Sequence, residues 1–385
     1  MRTPIAFVVL SLAAAPLTAQ QASLTYLLGK DTLAVEQWTR SATSLTGETV
    51  QRSGAAVIRI KYSLTLGRDG RPTSGSIARV AGDGSALPNQ PKEFRFTITA
   101  DSAVREVAWA DSTQRRAFAA KGAVINFPTF VYGPTEVLAA IKRGGGAVDS
   151  IPAIGAGGGL GYAGMTSTES AAGVSTFRLR GGPYAMIVKY DARDRLQSVD
   201  GSFTTNKAMA MVRGNGGLDL AALGKAMKPT GVLSARADVR AAFGPGGMVV
   251  VDYGRPQVRE RTVWGGQLVP LDTVWRAGAN DATHLFTTRT LTFGTTTLAP
   301  GMYTLWVQHT ANGTMLIINK QTGQWGTQHD AANDIATVPM ELKPTAEHVE
   351  EFTITVTAVS GAAGRIDMAW GDKVASVPFG VSAAR

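Results

Sequence analysis

The run from Asp252 to Thr283, DYGRPQVRERTVWGGQLVPLDTVWRAGANDAT, gathers arginine, tryptophan and glycine in a stretch that follows no strand or helix period. Its last part, Trp275-Arg276-Ala277-Gly278-Ala279-Asn280-Asp281-Ala282-Thr283, could build a polar ligand site. Gly278 permits a turn that a Cβ would obstruct. Such a turn would project Arg276, Asn280 and Asp281 from one corner. Arginine offers a planar fork for a carboxylate or phosphate. Asn280 and Asp281 supply acceptors, and Trp264 or Trp275 could stack on a sugar face. Tyr253 and Arg255 stand at the head of the same run, where Arg255 could join the site or pair with Glu260 or Asp272. The ligand candidates are therefore Tyr253, Arg255, Trp264, Trp275, Arg276, Asn280 and Asp281. The competing reading is structural: Arg276 and Asp281 pair internally and cap the loop, while both tryptophans fill the core.

Other chemistry is weakly signalled. His329-Asp330 with Asp334, joined by His284, His309 or His348, could assemble metal ligands. Yet no HExxH or HxH pair is present, and no metal or cofactor is expected. The chain has no cysteine, which excludes thiolate sites, disulfides and a lipid-anchored cysteine. No GxSxG or GxxxxGK[ST] motif occurs. Gly159-Leu160-Gly161-Tyr162-Ala163-Gly164 has GxGxxG spacing. It lacks the preceding strand and following helix that a dinucleotide would need. A hydrolase using Asp281, Asp330 or Glu350 with a histidine stays open, because such groups meet only in the fold.

Residues 1–19 read as a secretory signal: Arg2, an apolar run from Ile5 to Leu17, then Leu17-Thr18-Ala19 before Gln20. The run is too short to span a bilayer, and no later stretch is long and apolar enough to do so. The expected location is the periplasm or the extracellular space. The charge of +9 is scattered without a Lys/Arg block, so nucleic acid is not an expected partner. A small polar ligand or a glycan is. The sequence leaves the oligomeric state open.

Short alternating runs predict a mainly β protein. In the first half these are Ala56–Leu66, Glu93–Ala100, Thr176–Arg180, Ala185–Tyr190 and Leu196–Thr204, joined by Gly/Asp turns. Thr135–Lys142 and Leu218–Met227 predict short helices. The glycine-dense segment 144–173 reads as a long loop. Pro229, Gly231 and Gly244-Pro245-Gly246-Gly247 mark a linker over 231–247. It separates a β-rich N-terminal domain (20–230) from a β-sandwich or jelly-roll (248–380). Beyond it, Met302–Thr310, an Asn312-Gly313 turn and Thr314–Lys320 make a clear hairpin. Phe352–Val359, Arg365–Trp370 and Val377–Phe379 read as separate short strands.

Residues 246–380 resemble a bacterial family of exported proteins known only as domain of unknown function 2911. The resemblance rests on Asp252-Tyr253-Gly254-Arg255-Pro256, Leu268-Val269-Pro270 and the Val274–Thr283 run. It continues through Leu298–Tyr303, Asn319-Lys320, Gln324-Trp325-Gly326, Val349–Ile354, Trp370 and Val377-Pro378-Phe379. It implies a compact β domain in secreted or envelope proteins and no particular activity. The first half resembles, more loosely, the open β half-barrels of periplasmic lipoprotein carriers, so a meander or half-barrel is expected there. The resulting expectation is an exported, non-catalytic envelope protein that binds a carbohydrate or carboxylate-bearing ligand or serves a structural role. A secreted hydrolase and a carrier of apolar ligands are the alternatives.

Overall fold

The computed structural model describes residues 20–146, 150–157, 159–171, 174–181, 185–201, 211–231 and 233–382. The expected signal at 1–19 lies outside them. Among the described residues the protein is mainly β, with large antiparallel sheets and no closed barrel.

The first sheet is a meander. Eight strands, from Gln20–Leu28 to Thr113–Ala119, pair antiparallel in chain order, and Met211–Gly214 adds beside the first. Alternation explains it: in Ala56–Leu66, Ile60, Tyr62, Leu64 and Leu66 are buried while Lys61 and Thr65 face solvent. The second sheet runs from Val124–Asn126 through Ile151–Gly155, Leu160–Ala171, Val174–Gly181 and Ala185–Tyr190 to Leu196–Asp200. Only its first pairing is parallel. A helix, Thr135–Arg143, buries Val137, Ala139 and Ile141 and stops at Gly144-Gly145.

The glycine-dense segment is thus not a long loop where it is described. Ile151–Gly155 and Leu160–Ala171 form an antiparallel pair that buries Ala153, Ile154, Ala163 and Met165. Backbone pairing to neighbours holds a strand whose side chains give little periodic signal.

The third sheet begins with Arg236–Ala242, which pairs with Met248–Gly254. The linker expected at 231–247 is corrected here, since its middle, Arg236–Ala242, is an edge strand. Ala237, Val239 and Ala241 alternate with Arg236, Asp238 and Arg240, a period of two made faint by the small alanines. The order continues through Thr283–Thr287, Gly301–Thr310 and Gly313–Asn319. Next come two long strands, Asp334–Ser360 and Ala363–Val381, which absorb the three short strands expected near the C-terminus. Pro339, Pro344 and register shifts at 344/349 and 349/353 broke the pattern without ending the ladder. In the hairpin, Thr310 pairs with Gly313, so the turn is Ala311-Asn312 and the positive φ (145°) falls on Gly313.

One large core runs from Ala22 to Val199, the other from Phe243 to Val381. Where the chain leaves the N-terminal half, Arg52 Nε donates to Lys228 O (2.7 Å) and Gly231 N to Gly54 O (2.9 Å), and two ion pairs join the halves. Lys30 pairs with Glu260, and Asp31 with Arg259. A cleft opens beside these contacts.

Candidate functional site

The elbow at 275–283 is folded tightly against its own sheet. Ala277 and Asn280 take positive φ (47° and 62°), and Thr283 Oγ1 donates to Ala277 O at 2.7 Å. A Cβ at Gly278 would lie 2.8 Å from Thr283 Oγ1, and one at Gly254 only 2.2 Å from Ala279 O. Gly326 N donates to Asn280 O (2.9 Å), and a Cβ at Gly326 would lie 2.0 Å from Arg276 Cδ. Backbone therefore passes close to backbone at Gly254 and Gly278, and Arg276 lies over Gly326. No other residue type fits those three contacts without movement.

The aromatic residues serve the core. Tyr253 is buried; its hydroxyl accepts from Ile354 N (3.0 Å) and donates to Ile354 O (3.4 Å). Trp264 donates its indole N–H to Trp370 O (3.1 Å). Trp275 stacks on Trp370 with centroids 5.5 Å apart and planes at 16°, and meets Phe352 edge-on at 5.1 Å. Such packing is favourable for rings of this size. It also leaves the Trp275 face covered by Trp370, so the structure provides no stacking floor for a sugar there.

Residues 234–379 match the family described as protein of unknown function, DUF2911. The match covers under half of the chain and includes Tyr253, Gly254, the 275–283 elbow and Gln324-Trp325-Gly326, whose contacts have just been given. No curated protein and no solved structure matches the chain.

Four of the seven ligand candidates, Arg255, Trp275, Arg276 and Asn280, line one cleft of about 650 Å³ between the DUF2911 part and the N-terminal half. Tyr253 and Trp264 are core residues. Asp281 is exposed, bridges to Trp325 through its main chain and offers its carbonyl to Arg236 (3.4 Å). Arg255 pairs with Glu351 at 2.5 Å, not with Glu260 or Asp272.

The cleft brings in residues that the sequence did not single out. Arg52 comes from the first sheet, Arg259 and Arg261 from the loop after Pro256. Among the described residues its lining holds five arginines and one carboxylate, Glu351. Asp31 answers Arg259. Arg52 is held by the carbonyls of Lys228 and Pro229, and Arg261 by those of Val258 (2.9 Å) and Gln257 (2.7 Å). Carbonyls orient a guanidinium without cancelling its charge. Burial, then the charge of Arg259 beside it, pull Arg261 down to about 10, which leaves it cationic at neutral pH. Two donors of this wall, Arg255 Nε and Trp370 Nε1, are buried without an acceptor.

The cleft also collects backbone strain. Among the described residues nine non-glycine residues have positive φ, and four of them, Phe130, Ser234, Arg259 and Asn280, line it. Strain of this kind persists where surrounding structure enforces it, and it concentrates at ligand-binding places.

Of the carboxylates considered for hydrolytic chemistry, Glu350 does meet a histidine, His348, on the surface. His329 bonds Asp334 (2.8 Å), Asp330 caps the turn at Ala331–Asn333, and His348 lies between Asp372 (2.8 Å) and Glu350 (3.3 Å) on the surface. Among the described residues no three His, Asp or Glu are grouped to hold a metal ion, and no helix is long and apolar enough to cross a membrane. A second cavity of about 270 Å³, lined mostly by apolar residues such as Val124, Phe127, Val137 and Met186, lies in the N-terminal half.

Proposed function

We propose that the protein is an exported, non-catalytic binding protein whose cleft takes a small carboxylate-bearing ligand. The observation that carries this reading is the lining charge: five arginines against a single glutamate. A surface that only needed to be soluble would mix its signs. Concentrating cations in a concave, partly buried place costs repulsion that a bound anion relieves. Arginine's fork also fits a carboxylate by two parallel hydrogen bonds. The covered face of Trp275 argues for an anion over a neutral sugar. Residues 1–19 support export.

Calorimetric titration of the chain from Gln20 onward with benzoate and with benzamide tests the reading. The two probes share shape and differ in charge. Benzoate is expected to bind at least tenfold more tightly, and the difference is expected to shrink with added salt and in Arg52→Ala. Equal binding of the amide, or binding of neither, would end the proposal.

A further inference from the structure

The two walls of the cleft differ in chemistry, and that difference narrows the ligand; the inference rests on the anion-binding reading above. The C-terminal wall carries Arg255, Arg276 and the donor-rich edge of the tryptophan stack. The opposite wall mixes Gln51, Arg52 and Ser53 with an apolar patch. That patch is Leu28, Leu33, Phe130 and Leu233, a small cluster whose Phe130 also packs against the N-terminal core. A pair of buried leucines needs no more than a neighbour to cover it. Phe130 and Leu233, however, stay only partly buried and face the cleft lining.

Phe130 is the informative member. Its φ is 66°, a region that bulky residues rarely adopt. The fold enforces it from both sides. Thr49 Oγ1 donates to Phe130 O at 2.9 Å. Two residues on, the buried Glu36 carboxylate accepts the N–H groups of Tyr132 and Gly133 at 2.9–3.1 Å. The Tyr26 ring meets Phe130 edge-on at 5.2 Å. A strained phenyl group is thus held in the lining that the arginines share.

We infer that the ligand is an amphiphilic monocarboxylate: its charged group sits on the Arg255 and Arg276 wall, and a compact apolar body lies against Phe130 and Leu233. A cleft of about 650 Å³ falls within the roughly 300–1,000 Å³ of small-molecule sites and suits a medium-chain or aryl acid.

Titration of the same chain with acetate, butyrate, hexanoate, octanoate and octanol tests this. Affinity is expected to rise about three- to fourfold for each methylene that reaches the apolar patch. Leu233→Ser is expected to flatten that rise while leaving acetate unchanged. Arg255→Ala is expected to weaken every acid by a similar factor. Acids that all bind alike, whatever their length, would overturn the amphiphile inference and leave the anion reading standing. Failure of every acid to bind would remove the anion reading itself. Octanol binding as well as octanoate would place the chain in an apolar cavity and overturn the inference.

Discussion

Glu36 offers the sharpest test of how the N-terminal side of the cleft is held. It is fully buried, and four donors converge on it: the hydroxyls of Tyr26 and Tyr62 (2.6 Å for the latter) and the main-chain N–H groups of Tyr132 and Gly133. Burial raises its carboxyl above the usual range, although each of those hydrogen bonds pulls the other way. Desolvation therefore outweighs donation, and the protonated form is favoured relative to water. Two substitutions separate the consequences. Glu36→Ala leaves the two main-chain N–H groups with no acceptor, and neither can turn away. At roughly 1–3 kcal/mol each, the loss is about 2–6 kcal/mol. For a unit of this size that is about 4–24 °C in Tm. Glu36→Gln keeps one acceptor oxygen for those N–H groups, and Tyr26 can rotate its hydroxyl to accept from the new amide. It resembles the protonated acid, so at pH 4 it is expected within about 1 kcal/mol of wild type. The sign with pH follows from linkage. A carboxyl whose folded pKa is raised binds more protons when folded, so its stabilising contribution is full below the unfolded value. That contribution is lost as pH rises through the folded value. Glu36→Gln does not titrate, so it should gain on wild type from pH 4 to pH 8. Urea unfolding of both variants across that range is the assay. Should Gln prove as damaging as Ala at pH 8, the ionised charge holds the site and desolvation was given too much weight.

Three further outcomes are expected. Gly254→Ala drives a Cβ to within 2.2 Å of Ala279 O, a main-chain atom that cannot swing aside; a loss of about 1–3 kcal/mol is expected by chemical denaturation, with the 275–283 elbow more open to proteolysis. Glu351→Gln removes the only carboxylate among the described residues of the cleft lining, and calorimetry should show benzoate binding several-fold more tightly, less so at high salt. The full chain, produced in a bacterium with an intact export pathway, should be recovered outside the cytoplasm with Gln20 as its first residue by mass spectrometry, and removal of residues 2–19 should keep it inside.

Much of the architecture was readable from residues alone, because it depends on local pattern. Ala56–Leu66 alternates with a period of two and is a strand with those bounds. Gly-Pro before Thr135 and three glycines after Arg143 bound the first helix. Those signals act within a few residues. The glycine-dense strands after Ile151 left no such mark, since neighbouring backbones hold them, while Arg236–Ala242 alternates only faintly through small alanines.

The sequence also determined which residues of the 252–283 run were unusual, but not their tasks. Tyr253 and Trp264 looked like ligand contacts and are core, because aromatic rings read the same whether they pack on a neighbour or on a guest. Arg255 was visible, yet its partner Glu351 lies about a hundred positions away, and Arg52 comes from the other half of the chain. Local pattern fixed strands, turns and the glycines of the elbow. Tertiary structure alone decided the cleft, because a charge excess between two walls is a sum over residues that meet only when the chain folds.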